Sequence, residues 1–183
     1  ADAPPGAVWA ADPRLPDAGW RVLADRVQAA PGIGYARDSR RLLARVLPEL
    51  FRPIQVRQLR PFFDAWQDAL LEQAAPQSAR QPVVALLTCG VTDPQWPEHL
   101  TLSRDLNAAL VQPRDLTIRG GALMLKTLRG LQPVDVLLSR VPGDGLDPLE
   151  GSGTMGGVTG LMDAARSGTV RVLNHPGAAM IEA

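Results

Sequence analysis

Apolar runs alternate along the chain with segments rich in proline, glycine and charge, and the period of each run predicts its element. Residues 7–10 and 20–24 are short apolar runs on either side of an Asp-, Pro- and Gly-rich stretch, the pattern of a two-stranded hairpin. Leu42, Leu43, Val46, Leu47 and Leu50 recur at helical spacing, with Asp38 or Ser39 as the expected N-cap. Pro48 should end or kink that helix, because proline lacks the N–H and clashes with the preceding turn. Pro61 opens a second helix, on which Phe62, Phe63, Trp66, Leu70 and Leu71 share an apolar face. Residues 75–82 have linker composition and divide a first segment, 1–75, from a second, 80–183.

The second segment changes character. Residues 83–88 are a continuous apolar run, as a strand buried on both faces requires. Pro97 opens a helix running through Leu100, Leu102, Leu106 and Leu110. Val111, residues 116–118 and residues 123–125 read as short strands, the last two joined across Gly120 and Gly121. Residues 134–138 form another buried strand. A helix over 156–166 turns Val158, Leu161, Met162 and Ala165 inward and ends at Gly168, before a last strand over 169–173. This alternation predicts an α/β fold: a mostly parallel sheet with flanking helices, preceded by a small α+β piece. Functional groups in such sheets collect past the carboxyl ends of the strands, here residues 88–99, 139–157 and 174–177.

Composition narrows the chemistry. The 183 residues carry 19 basic and 19 acidic side chains, so no basic excess is present to neutralise nucleic acid. No stretch approaches the ~20 apolar residues of a membrane span. Cys89 is the single cysteine, which excludes an internal disulfide and a cysteine-built zinc site, and the two histidines, His99 and His175, leave little for a histidine metal centre. The basic set contains one lysine, Lys126, so chemistry that needs two lysines cannot run on this chain. No signal-peptide pattern is present, and the expected compartment is the cytoplasm. Both ends are abrupt, and the chain reads as an excised piece of a longer protein.

Several groups have two readings. Residues 151–157 are a small-residue loop that could cradle phosphate, but they lack a Gly-Lys-Ser/Thr ending and follow no strand; a glycine loop suffices. The Gly32-Ile33-Gly34 turn could cover phosphates, or use glycine only for positive φ. Cys89 could be a nucleophile with His99 as base, or a small apolar residue at a strand end. Asp144, Asp147 and Glu150 could hold Mg²⁺, or form a solvated acidic loop. Trp96 could form a binding lip or pack a loop.

Taken together and in order, several segments carry a resemblance. They are Val22 to Ala36, with its Asp25-Arg26 and Pro31-Gly32-Ile33-Gly34-Tyr35, then Arg40, and Leu47-Pro48-Glu49-Leu50-Phe51-Arg52. After these come Leu86-Leu87-Thr88, Glu98-His99, Asp115 to Arg119, Leu125 to Leu128 and Asp147 to Glu150. The chain resembles the circularly permuted ATP-grasp type 2 family, related to glutathionylspermidine-synthase-like ligases. The resemblance implies an ATP- and Mg²⁺-dependent carboxylate–amine ligase. Residues 1–75 would be part of the permuted C-terminal lobe, residues 80–183 a pre-ATP-grasp domain, and the lysine-bearing lobe would lie elsewhere in the protein.

On this mapping Asp25 and Asp38 would hold metal, and Arg26, Gly32, Gly34 and Arg40 would meet the nucleotide. Arg140 would meet a substrate carboxylate as the catalytic-site arginine. Three stretches depart from the family pattern: Asp38-Ser39 stands where Glu-Asn is usual, Cys89 to Pro94 replaces a Pro-Gly-Pro-Tyr-Asn-Glu-like run, and Ser139-Arg140 replaces an Arg-Arg strand end. These departures imply a degenerate or reprogrammed member. The alternative is a non-catalytic scaffold or interaction domain in a peptide modification system, with an alpha-E or transglutaminase-like partner.

Overall fold

In the β3 strand (Val84–Leu87) every residue is buried, because consecutive side chains enter two different cores. Ala85 and Leu87 face one, with Leu137, Leu146 and Leu161. Val84 and Leu86 face the other, with Phe63, Leu102, Val136 and Leu138. A strand covered on both sides must be apolar throughout, which is why its run is continuous. The computed structural model describes residues 7–11, 20–54, 56–74, 80–151 and 156–182.

In chain order, β1 (Ala7–Ala11) and β2 (Trp20–Asp25) form an antiparallel hairpin with a register shift at Val8 and Trp9. Three helices follow: α1 (Ile33–Val46), α2 (Pro48–Ile54) and α3 (Arg60–Glu72). Then come β3, α4 (Trp96–Asp105), β4 (Ala109–Val111), β5 (Leu116–Arg119), β6 (Ala122–Thr127) and β7 (Gly130–Pro133). The chain continues through β8 (Val136–Ser139), α5 (Leu161–Arg166) and β9 (Arg171–Leu173). The main sheet has the order β4-β3-β8-β9 and all its pairs are parallel; β5-β6-β7 is a separate antiparallel sheet. The expected α/β class, with a parallel sheet flanked by helices, is what the structure has. Helices α3 and α4 cover one face of the sheet; α5 and the β5–β6 hairpin cover the other.

Pro48 ends α1 and opens α2, and Pro61 lies in the first turn of α3, as their backbone constraints dictate. Several expectations are corrected. Asp38 and Ser39 do not cap α1; they lie inside it. The N-cap is Gly32, at φ 113°, and the capping acceptor comes from α4: both Glu98 carboxylate oxygens accept from the Gly32 N–H, at 2.8 and 3.0 Å. Helix α4 stops at Asp105 because Asn107 takes a left-handed conformation (φ 50°), which reverses the chain and places Leu110 in β4. Helix α5 begins at Leu161, not at residue 156, because Gly160 takes φ 81°. Strand β7 had no sequence signal, since Gly130 to Pro133 is barely apolar.

The apolar stripe on α1 and α2 is real but uncovered: Leu42 is 61% exposed and Val46 63%, with Leu43, Leu47 and Leu50 also exposed. On α3, Phe63 and Leu70 enter the core while Phe62 stays exposed, packed edge-on against Phe63. Lys126 lies on β6 and donates to the Arg114 carbonyl.

Helix α1 meets α4 at Gly34, where a Cβ would lie 2.8 Å from Glu98 Cγ and 3.3 Å from its Cα. Alanine is ordinarily favoured over glycine in a helix by ~1 kcal/mol, but overpacking a fixed contact costs roughly 1–3 kcal/mol. Gly34→Ala is therefore expected to lower stability, read as an earlier midpoint in denaturant unfolding.

Candidate functional site

The strand order shows where a site belongs. From β3 the chain crosses to β4 on one side and later returns to β8 on the other, so the sheet changes direction between β3 and β8. In a parallel sheet this switch opens a crevice beyond the carboxyl ends of the two strands. Thr88 and Cys89 leave β3 there, and Arg140 leaves β8. A cleft of about 680 Å³ lies at this edge, lined by Arg26, Gln28, Cys89, Asp93, Arg140 and Glu182 among others.

The segment linking β2 to α1 forms the other wall, held by polar groups from the far end of the chain. Glu182 Oε1 accepts from the Val27 and Gln28 N–H groups, at 2.5 and 2.7 Å. Asn174 Nδ2 donates to the Val27 and Gln28 carbonyls, at 2.7 and 2.8 Å. Gln28 Oε1 accepts from the Gly143 N–H at 3.2 Å, and Arg140 donates to the Ala30 carbonyl at 3.1 Å. All three strand-end segments expected from the sequence thus contribute to this edge.

At its base is a buried charge cluster. Glu98 is fully buried; it accepts from the N–H groups of Gly32 and Gly34 and lies 3.9 Å from the Arg140 guanidinium. The Arg140 side chain is only 4% exposed, and its Nε has no hydrogen-bond partner among the described residues. Burial lowers the Arg140 pKa, while Glu98 and Asp93 oppose that shift. His99, also buried, shares a 2.8 Å hydrogen bond with Thr88 through Nδ1. Burial and then Arg140 push its pKa down, disfavouring the charged ring, against smaller opposing effects of Asp93 and Glu98. The Cys89 thiol is pushed up by burial and by Asp93, which disfavours the thiolate. With His99 bonded to Thr88 and its Nε2 unpartnered among the described residues, the Cys89–His99 nucleophile pair does not form.

The residues singled out in the sequence fall in several places. Arg26 and Arg140 share the edge cleft. Gly32 and Gly34 stand beside it with their N–H groups committed to Glu98. Arg40 lines a different cleft, between α1 and α3. Asp25 ends β2 with an exposed side chain, and Asp38 pairs with Arg37 at 3.0 Å on α1. Of the acidic loop, Asp147 is buried and accepts from the Leu149 and Met162 N–H groups, Glu150 pairs with Arg166, and Asp144 is exposed. Residues 152–155 of the glycine loop lie outside the described residues. Trp96 begins α4, half-buried. Glu98 was not singled out as a site residue, since its role is set by a contact 66 residues away in sequence; its signals were its place after a strand end and its part in the Glu98-His99 segment of the resemblance.

The family model for circularly permuted ATP-grasp type 2 matches residues 7–183. The chain belongs to this circularly permuted ATP-grasp family. Among its relatives, an uncharacterized protein of Mycobacterium tuberculosis is 38% identical over 170 residues, which is 92% of this chain and 19% of that protein. An uncharacterized protein of Synechocystis is 35% identical over 86% of this chain and 33% of its own length. A second M. tuberculosis protein, also uncharacterized, is 37% identical over 82% of this chain and 27% of its own length. The chain therefore spans a fifth to a third of the length of these relatives.

ATP-grasp proteins generally use ATP and Mg²⁺, and the residues here can be tested against that need. Among the described residues no three of His, Cys, Asp and Glu come together as a metal would require, and the glycine amides that would meet phosphate are already bonded. These residues do not make a nucleotide–metal site by themselves. No helix in the described residues is long and apolar enough to cross a membrane.

Two outcomes follow. Glu98→Ala leaves the Arg140 charge buried without its partner and is expected to cost roughly 3–5 kcal/mol in chemical denaturation. Glu98→Gln keeps one acceptor for the cap and should cost less. For His99 the sign is set by its depressed pKa. As pH falls through its unfolded value of about 6.5, the unfolded chain gains a proton that the native state does not. Stability should fall from pH 7 to pH 5 with a slope of at most about 1.4 kcal/mol per pH unit. Glu150, held low by Arg166, and Glu182, held low by the Gln28 and Val27 amides, add their losses only at more acidic pH. His99→Gln should flatten the slope between pH 7 and pH 5, measured by urea unfolding at each pH.

Proposed function

We propose that the protein carrying this chain is an ATP-dependent ligase of carboxylate-plus-amine type, and that this chain supplies its acid-binding edge. The observation that carries the reading is Arg140. A buried guanidinium at the switch-point edge of a family member, with Nε unpartnered among the described residues and a cleft of about 680 Å³ in front of it, suits a carboxylate. Arg26 is the second cation on the same cleft. ATP and Mg²⁺ would be gripped chiefly by parts of the protein outside this chain. The uncovered leucines on α1 and α2 support a neighbouring lobe packed there, because exposed apolar faces of this kind mark contact surfaces.

A second reading, a degenerate member acting as a scaffold beside an alpha-E or transglutaminase-like protein, is favoured by the bonded glycine amides and by Asp38 turned to Arg37. Calorimetric titration of Mg-ATP into the whole protein separates the two: binding supports the ligase, and no heat at millimolar nucleotide supports the scaffold. In an active ligase, Arg140→Lys keeps the charge but loses the two-pronged contact. It should raise KM for the acid about tenfold, the value of one charge-assisted hydrogen bond, with ATP affinity unchanged. An unchanged KM for the acid would remove Arg140 from the proposed role.

A further inference from the structure

A second cleft, of about 480 Å³, lies between α1 and α3, away from the strand ends. Its cationic wall is Arg37, Arg40 and Arg41 on α1, joined by Arg60 at the start of α3. Positions 37, 40, 41 and 44 recur at i, i+3, i+4 and i+7, so helix geometry puts them on one face. Two of these cations are already matched. Arg37 grips Asp105 with two nitrogens, at 2.6 and 2.9 Å, and Arg60 pairs with Asp64 at 2.7 Å. Among the described residues Arg40 and Arg41 make no ion pair, and Asp105, the one acid these residues bring to the cleft, is taken by Arg37. Apart from Gln58 the remainder of the lining is apolar, including Phe51, Val56, Leu59 and Phe63.

We propose that this cleft is a binding site for a small organic dianion, with its oxyanion head between Arg40 and Arg41 and its apolar body on Phe51 and Phe63. Guanidinium forks fit carboxylate and phosphate equally well, so a phosphomonoester and a dicarboxylate share the required chemistry. The volume is that of a small-molecule pocket. The site is separate from the Arg140 cleft and does not depend on the ligase reading.

The test is calorimetry on the whole protein at low salt and without nucleotide, with phenyl phosphate, isophthalate, inorganic phosphate and benzyl alcohol as probes. Phenyl phosphate or isophthalate should bind about tenfold more tightly than inorganic phosphate, the difference expected for burying one small apolar body. Benzyl alcohol should not bind. The tighter of the two dianions identifies the head group. The R40Q/R41Q variant should weaken the preferred dianion about tenfold or more, the loss of a charge-assisted contact. R45Q, an exposed α1 arginine that is not on the cleft, should change it by less than about twofold, as screened surface charge does. No binding of either dianion overturns the proposal. So does equal weakening by R45Q, which would mean diffuse attraction to a basic helix.

Discussion

Glu98 is a carboxylate taken completely out of water, and several parts of the structure hold their positions because it must be satisfied there. Removing such a charge from solvent costs several kcal/mol, and only dense hydrogen bonding offsets it. Its oxygens accept the Gly32 and Gly34 amides, so the first turn of α1 is anchored to α4 and not capped locally. The positive end of the α1 dipole and the Arg140 guanidinium both face this negative charge. Gly34 is glycine because the contact leaves no room for a Cβ. One buried group therefore joins the segment before residue 75 to the sheet after residue 80.

The same edge is closed from the other direction by residues near the end of the chain. Asn174 and Glu182 bond the backbone of Val27 and Gln28, so the link between β2 and α1 is tied to groups about 150 residues away. The link leaves a cleft whose polar wall combines Arg26 and Arg140 with Asp93 and Glu182. Catalytic sites are often built in this way, with irregular backbone held over the strand ends of a rigid parallel sheet. Cys89 lies on the cleft, and His99, buried behind it and bonded to Thr88, belongs to its packing.

Helices α1 and α2 show the opposite economy. Their arginines and leucines are arranged for contact, yet α4 and α3 cover only part of them. A helix with a cationic cleft on one side and bare leucines on another is stabilised by the few contacts it does make, chiefly Arg37 to Asp105 and Gly34 to Glu98. These two contacts lie on the same side of α4, two turns apart, and they hold α1 against it.

Much of the fold was legible locally. The apolar run at 83–88 and the mostly apolar 134–138, interrupted by Asp135, point to strands covered on both faces, and Pro48 and Pro61 constrain their own backbone wherever they occur. The ordered segments from Asp25 to Glu150 were enough to indicate the family. Fold class, helix starts at prolines and the parallel sheet were therefore determined by the sequence itself, since each rests on a property of one residue or of a short period. The real cap of α1, the commitment of the glycine amides, the separation of Arg40 from Arg26 and the exposure of Leu42 and Val46 were decided only by tertiary structure. Each depends on a partner far along the chain, and a periodic pattern shows that a face is apolar without showing what, if anything, covers it.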